Sequence, residues 1–348
     1  MAQFIILNCP LHETLSFLNE LSLRMLTMLK QALFLLVIAL APAAIASPTP
    51  TRLAKEPEPS RLPADWRQPL TLAKESIPVL TAQAEPQGAP AMPAAPSSRT
   101  TEEEQVAELA KAAQNPIANL ISLPFQNNTF FRTGPQQQRT LNALNIQPVV
   151  PFPLSKNLLL ITRTIVPVIN LPTSPTGRES QFGLGDINPQ FYFSPITKSR
   201  ITWGVGPTFV LPTATDELLG QGKWSGGPAA VVVVTTKRWV FGAVGNNVWS
   251  FAGASDRKSV NQFLVQPFIN YNLSKGWYLS TGPIITANWE AENGDEQWTV
   301  PIGGGFGRVF AIGEQKVNAT LQAYWNVVKP DGAGDWSLRA QFQFLFPR

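Results

Sequence analysis

DWSLRAQFQFLFPR, residues 335–348, closes the chain and carries its most informative pattern. Trp336, Leu338, Ala340, Phe342, Phe344 and Phe346 alternate with Ser337, Arg339, Gln341 and Gln343. A β-strand sends successive side chains to opposite faces. The segment therefore has one apolar, aromatic-rich face and one polar face that carries an arginine, which suits a strand with lipid on one side and water on the other. Upstream, residues 117–334 contain no apolar run long enough for a membrane helix and no sustained helical period. Segments of roughly ten or more residues alternate instead with turn chemistry, as transmembrane β-barrels require.

The expected strands are residues 117–131, 140–150, 158–170, 182–194, 201–211, 226–235, 239–250, 261–271, 277–290, 297–310, 317–327 and 336–346. That makes twelve, and the even number predicts an all-β, antiparallel transmembrane barrel. The connections 151–157, 195–200, 236–238, 272–276 and 311–316 are tight, whereas those between them, such as 171–181 and 212–225, are mostly longer and more polar. Short turns on one side and long loops on the other fit a barrel whose two chain ends are periplasmic. Trp224, Trp249, Trp289, Trp298, Trp325 and Trp336 fall at the long-loop ends of strands, and Trp203, Trp239 and Trp277 at the short-turn ends. Indole rings prefer the membrane interface, so these nine predict two aromatic girdles; a soluble sandwich would place them mid-strand in its core. Only Trp66 lies elsewhere.

The N-terminal third has another composition. A basic start at residues 24–30, an apolar stretch at 32–41 and Ala44-Ile45-Ala46 before Ser47 have the layout of a secretory signal peptide over residues 1–46, with an uncleaved anchor helix as the alternative. The long stretch before it points to translation from Met25 or Met28. Residues 47–100 are rich in Pro, Ala, Thr and Glu and predict an extended, disordered periplasmic segment. Thr101-Glu102-Glu103-Glu104 resembles a capping box, so a short helix is expected over about 102–113, with a linker to residue 116. Its expected place is in solvent beside the barrel, and a plug at the barrel mouth is the alternative. The barrel itself is assigned residues 117–348.

The single cysteine, Cys9, and the single histidine, His12, precede the signal's apolar core. A mature chain cut before Ser47 has neither, which removes disulfides, thiol nucleophiles, histidine-based catalysis and Cys/His metal sites. No enzyme activity and no cofactor are expected. The mild basic excess (pI about 9.2) comes without a basic block interleaved with aromatics, so no nucleic-acid partner is expected.

The polar rows predict the lumen lining: Arg163, Asp186, Asn188, Gln190, Gln262, Gln266, Asn288, Asn318, Gln322, Arg339 and Gln341. This is mostly neutral amide and hydroxyl, suited to small neutral or amphipathic solutes rather than to a dedicated ion or phosphate channel. Arg163 and Asp186 lie on neighbouring strands and are expected to pair, either as a structural ion pair or as a selectivity constriction. Gly303-Gly304-Gly305-Phe306-Gly307 predicts a bulge or kink that re-aims the row carrying Arg308, and Val231 to Val234 permit no assignment to either face.

Several of these stretches also resemble one family. LAKAAQNPIANLISLPFQNN (109–128), FGLGDINPQFYFSP (182–195), WGVGPTFVLPTAT (203–215), NQFLVQPFINYNL (261–273) and the closing residues 342–347 are similar to the phenol-degradation meta-pathway outer-membrane protein family. These are transporter-like barrels of Gram-negative bacteria, often mislabelled neuromedin U. The resemblance covers the chain from about residue 109 onward and brings no catalytic residues. It implies passive passage of small, aromatic or hydrophobic molecules through a monomeric outer-membrane channel, with membrane lipid and the solute as partners. The alternative is a structural or surface protein with a filled lumen and no transport.

Overall fold

A computed structural model describes residues 98–172 and 180–347. The signal-like segment, nearly all of the Pro-rich stretch, Trp66 and part of one long loop lie outside the described residues.

Among the described residues one α-helix, α1 (Ser98–Gln114), precedes fifteen strands. They are β1 (Ile121–Thr133), β2 (Arg139–Ile146), β3 (Val149–Ser155), β4 (Leu158–Leu171), β5 (Gln181–Leu184), β6 (Asn188–Pro195), β7 (Ile201–Val210) and β8 (Lys223–Thr235). The rest are β9 (Trp239–Gly253), β10 (Asn261–Asn272), β11 (Trp277–Thr281), β12 (Ile285–Asn288), β13 (Trp298–Ile312), β14 (Gln315–Val328) and β15 (Trp336–Phe346). Three pairs are halves of interrupted strands (β2 with β3, β5 with β6, β11 with β12), which gives twelve staves. Each stave pairs antiparallel with its sequence neighbours, and β1 pairs with β15 from Ile121↔Phe346 to Phe131↔Trp336, so the sheet closes on itself and leaves no open edge. The protein is a closed, twelve-stranded antiparallel β-barrel.

Sidedness follows the register. In β15, Arg339 and Gln343 are buried inside, while Phe342 and Phe344 lie on the outer row. Outside, Trp203, Trp224, Trp239, Trp249, Trp277, Trp289 and Trp325 are all exposed near strand ends. Trp298 is half-buried against Trp289 and Phe263, and Trp336 stacks on Phe131 at 4.0 Å.

In the course of its strands and helix the structure differs from the sequence expectations at four places. The second stave continues past Val150 to Ser155, so its turn is only Lys156-Asn157. In β13 the irregularity falls between Val300 and Pro301, not in the glycine run, and Arg308 keeps the outer row with Ile302 and Phe306. There the Arg308 guanidinium lies 5.2 Å from the centre of the Trp277 ring, a cation–π contact on an otherwise apolar face. Gly307 leaves space inside: a β-carbon there would overlap the Tyr278 ring. The helix starts at Ser98, so Thr101 to Glu104 lie within it rather than capping it. Its place is not beside the barrel. It packs against the turn Ser274–Gly276 and against β10 and β13, at the short-turn mouth.

Candidate functional site: the lumen and its two mouths

The segment that enters the barrel packs across the short-turn mouth. Small residues on the last turns of α1 let it approach the wall closely, and Ala110 and Leu120 pack with Tyr278, Val309 and Leu345. Across the lumen, Ile117 sits in a cluster with Val149, Leu159, Ile161, Tyr192 and the inward valines of β8 and β9. Three side-chain hydrogen bonds tie the crossing down: Gln114 Nε2 donates to Asn272 Oδ1 at 2.8 Å, Asn272 Nδ2 donates back to Gln114 Oε1 at 3.1 Å, and Asn115 Nδ2 donates to Thr202 Oγ1 at 3.3 Å. This also orients β8: Val231 and Val233 point inward onto the plug, while Val232 points outward.

Above the plug lies a cavity of about 180 Å³. Among the described residues its charged side chains are Arg163 and Arg339, and no carboxylate lines it. Arg163 Nη2 donates to Gln147 Oε1 at 2.5 Å. Arg339 Nε donates to Asn128 Oδ1 (3.1 Å) and Nη1 to the Gly282 carbonyl (2.8 Å), with the Tyr324 ring 4.8 Å away. Amides fill the remaining wall. Gln322 donates to Ser280 Oγ at 2.8 Å, Asn318 accepts from the Tyr278 hydroxyl and donates to Gln343, and Gln266 donates to the Gly282 carbonyl. Gln341 completes the lining.

The long-loop end opens into a wider vestibule of about 1050 Å³, lined in part by Asn188, Gln262 and Asn288. Gln190 is buried between the two spaces, accepting from Tyr192 and donating to Asn188. One loop, residues 211–222, folds inward and narrows this vestibule. Asp186 holds it: Oδ1 accepts from the Ala214 N–H (3.2 Å) and Oδ2 from the Gln221 N–H (2.6 Å). Thr213 and Thr215 accept from the N–H groups of Ile187 and Leu184, and Arg257 donates to the carbonyls of Glu217, Gly220 and Gln221.

The structure thus brings Arg163, Gln266, Asn318, Gln322, Arg339 and Gln341 around one cavity and Asn188, Gln262 and Asn288 around the other. The expected Arg163–Asp186 pair does not form. Strand pairing breaks at Gly185 to Ile187, and the backbone of the folded-in loop takes the carboxylate instead. The sequence reading missed that loop and held the plug only as the alternative to a helix beside the barrel. Two signals were present: Gly183 and Gly185, whose missing side chains make room for Thr215 and Leu219, and Leu345, the apolar exception in the polar row of β15.

The chain matches no protein-family model and no curated protein. It is similar in fold to solved outer-membrane barrels. The crystal structure of an outer membrane channel from Pseudomonas putida F1 superposes with a TM-score of 0.51 at 14% identity, covering 65% of this chain and 94% of that one. The NanC porin gives a TM-score of 0.42 at 9% identity over 66% of this chain and all of the porin. Outer membrane phospholipase A from Escherichia coli gives 0.36 at 11% identity, over 68% and 97%.

Proposed function

We propose that the protein is a monomeric channel of the Gram-negative outer membrane that lets small solutes pass down their gradients. One observation carries this reading: a closed barrel with an apolar, tryptophan-belted exterior encloses two cavities whose walls carry amide and charged side chains, an arrangement a water-soluble protein has no use for. The nine tryptophans act as interface girdles, and the inward amides and arginines line the path. Residues 1–46 serve as the export signal and residues 47–100 as a periplasmic tether. Membership in the phenol-degradation meta-pathway family, supported by the motifs between residues 109 and 347, adds aromatic and hydrophobic molecules as solutes.

The apolar plug favours a second reading, in which the barrel is a structural element and the lumen stays shut. Uptake of small sugars and aromatics into vesicles carrying the purified protein separates the two. Uptake above protein-free vesicles supports the channel, and none for any solute in well-folded protein supports the closed barrel.

A further inference from the structure

Two guanidinium groups inside a membrane barrel, with no carboxylate beside either among the described residues, need an explanation. An unpaired charge taken out of water costs several kcal/mol, and proteins normally pair or discard it. A guanidinium has five N–H donors. Among the described residues Arg163 forms one side-chain hydrogen bond to protein and Arg339 two, all to neutral acceptors. Among the described residues Ser225 Oγ is the only buried side-chain polar atom without a partner, so the guanidinium nitrogens that have none, Nε and Nη1 of Arg163 and Nη2 of Arg339, are not sealed into the wall, and both side chains line the cavity. The rest of the lining offers further donors, the amide groups of Gln126, Gln147, Gln266 and Gln341 among them, beside an apolar floor of Ala118, Leu120 and Phe268.

We propose that this inner cavity is a binding site for a small organic monoanion, an apolar body carrying one carboxylate. This rests on the channel reading above and names its solute class: the carboxylate meets Arg163 or Arg339, and the body lies against the plug. Guanidinium matches a carboxylate with two parallel hydrogen bonds, and a low-dielectric cavity strengthens the attraction. A cation is repelled by both arginines, and a neutral molecule leaves their free donors unmatched.

The test uses the full chain in detergent and in vesicles, with benzoate, neutral benzamide and cationic benzylamine as probes. In equilibrium dialysis at low chloride, benzoate binds at least tenfold more tightly than benzamide, benzylamine does not bind, and R163Q/R339Q lowers benzoate affinity to the benzamide level. Under a potassium chloride gradient the reversal potential of the wild type shows anion preference, which R163K/R339K retains and R163Q/R339Q loses. Equal binding of benzoate and benzamide, or benzoate binding indifferent to R163Q/R339Q, overturns the site. Should the glutamine variant not fold, the three probes on the wild type and the lysine variant still decide. Arginine-dependent benzoate binding by a protein that never conducts keeps the site and removes the channel reading. Conduction without anion preference or benzoate binding does the reverse.

Discussion

The two mouths of the barrel are narrowed by opposite kinds of chemistry. At the short-turn end a separate segment, residues 98–120, is held by apolar contacts to opposite walls, with Ile117 on one side and Ala110 and Leu120 on the other. At the long-loop end the barrel's own loop is held by hydrogen bonds that converge on Asp186 and radiate from Arg257. Apolar packing is non-directional, and each buried aliphatic side chain is worth about 1.5–3 kcal/mol. Such a seal closes tightly but leaves as a unit. Hydrogen bonds to one carboxylate are directional and individually modest in a wet vestibule. They set the shape of an opening without shutting it. On the proposed channel reading, the short-turn, inner mouth acts as the gate and the long-loop, outer mouth as the sieve.

Both depend on a wall with strict sidedness, and the largest expected effect breaks that wall. Phe342 faces outward and Gln341 inward on the same strand. An arginine on the lipid face near the membrane midplane costs about 2–4 kcal/mol, whereas one in the lumen meets water and amides. Phe342→Arg should therefore cut folding yield into lipid vesicles sharply, with Gln341→Arg close to wild type. Equal yields for the two would show that the faces are misassigned and that neither mouth is where it is drawn.

The next effect falls on the gate. Ile117 is buried among Val149, Ile161 and Val233. Ile117→Ala should weaken plug docking by about 2 kcal/mol, the low end for such a truncation because a cavity borders the site. That corresponds to roughly a thirtyfold shift toward the undocked state. Open probability in planar bilayers should rise accordingly, and removing residues 98–120 should open the channel permanently. If neither change alters conductance, the segment is not the gate.

How much of this was legible in the sequence depends on what each face touches. The rows of β15 and β14 read directly because water-lined and lipid-lined faces demand different residues. Val231 to Val234 were unreadable for the complementary reason: the plug makes the inner face apolar as well, so alternation of position leaves no alternation of composition. The Arg163–Asp186 pair was a reasonable inference from adjacent staves, but it assumed an unbroken strand. Loop backbone can satisfy a carboxylate as well as an arginine can, and no side-chain pattern announces backbone donors. The helix was legible and its position was not, since an alanine-rich face suits both solvent and close packing.

The smallest effect belongs to the sieve. Asp186→Asn keeps one acceptor oxygen but loses the charge that strengthens the bonds to the N–H groups of Ala214 and Gln221. The loss should be about 1 kcal/mol, spread over a loop that Thr213, Thr215 and Arg257 still hold. The barrel should fold normally and the plug should stay docked, because no contact of Asp186 reaches the inner mouth. What should change is the outer constriction: a looser loop admits larger solutes, raising the size limit for vesicle uptake while benzoate affinity at the inner cavity stays constant. Arg257→Gln should act in the same direction, and the two together should add less than the sum of their separate effects, since both hold one loop. A change in gating without a change in size limit would mean that the loop communicates with the plug, and the two mouths would have to be treated as one coupled device.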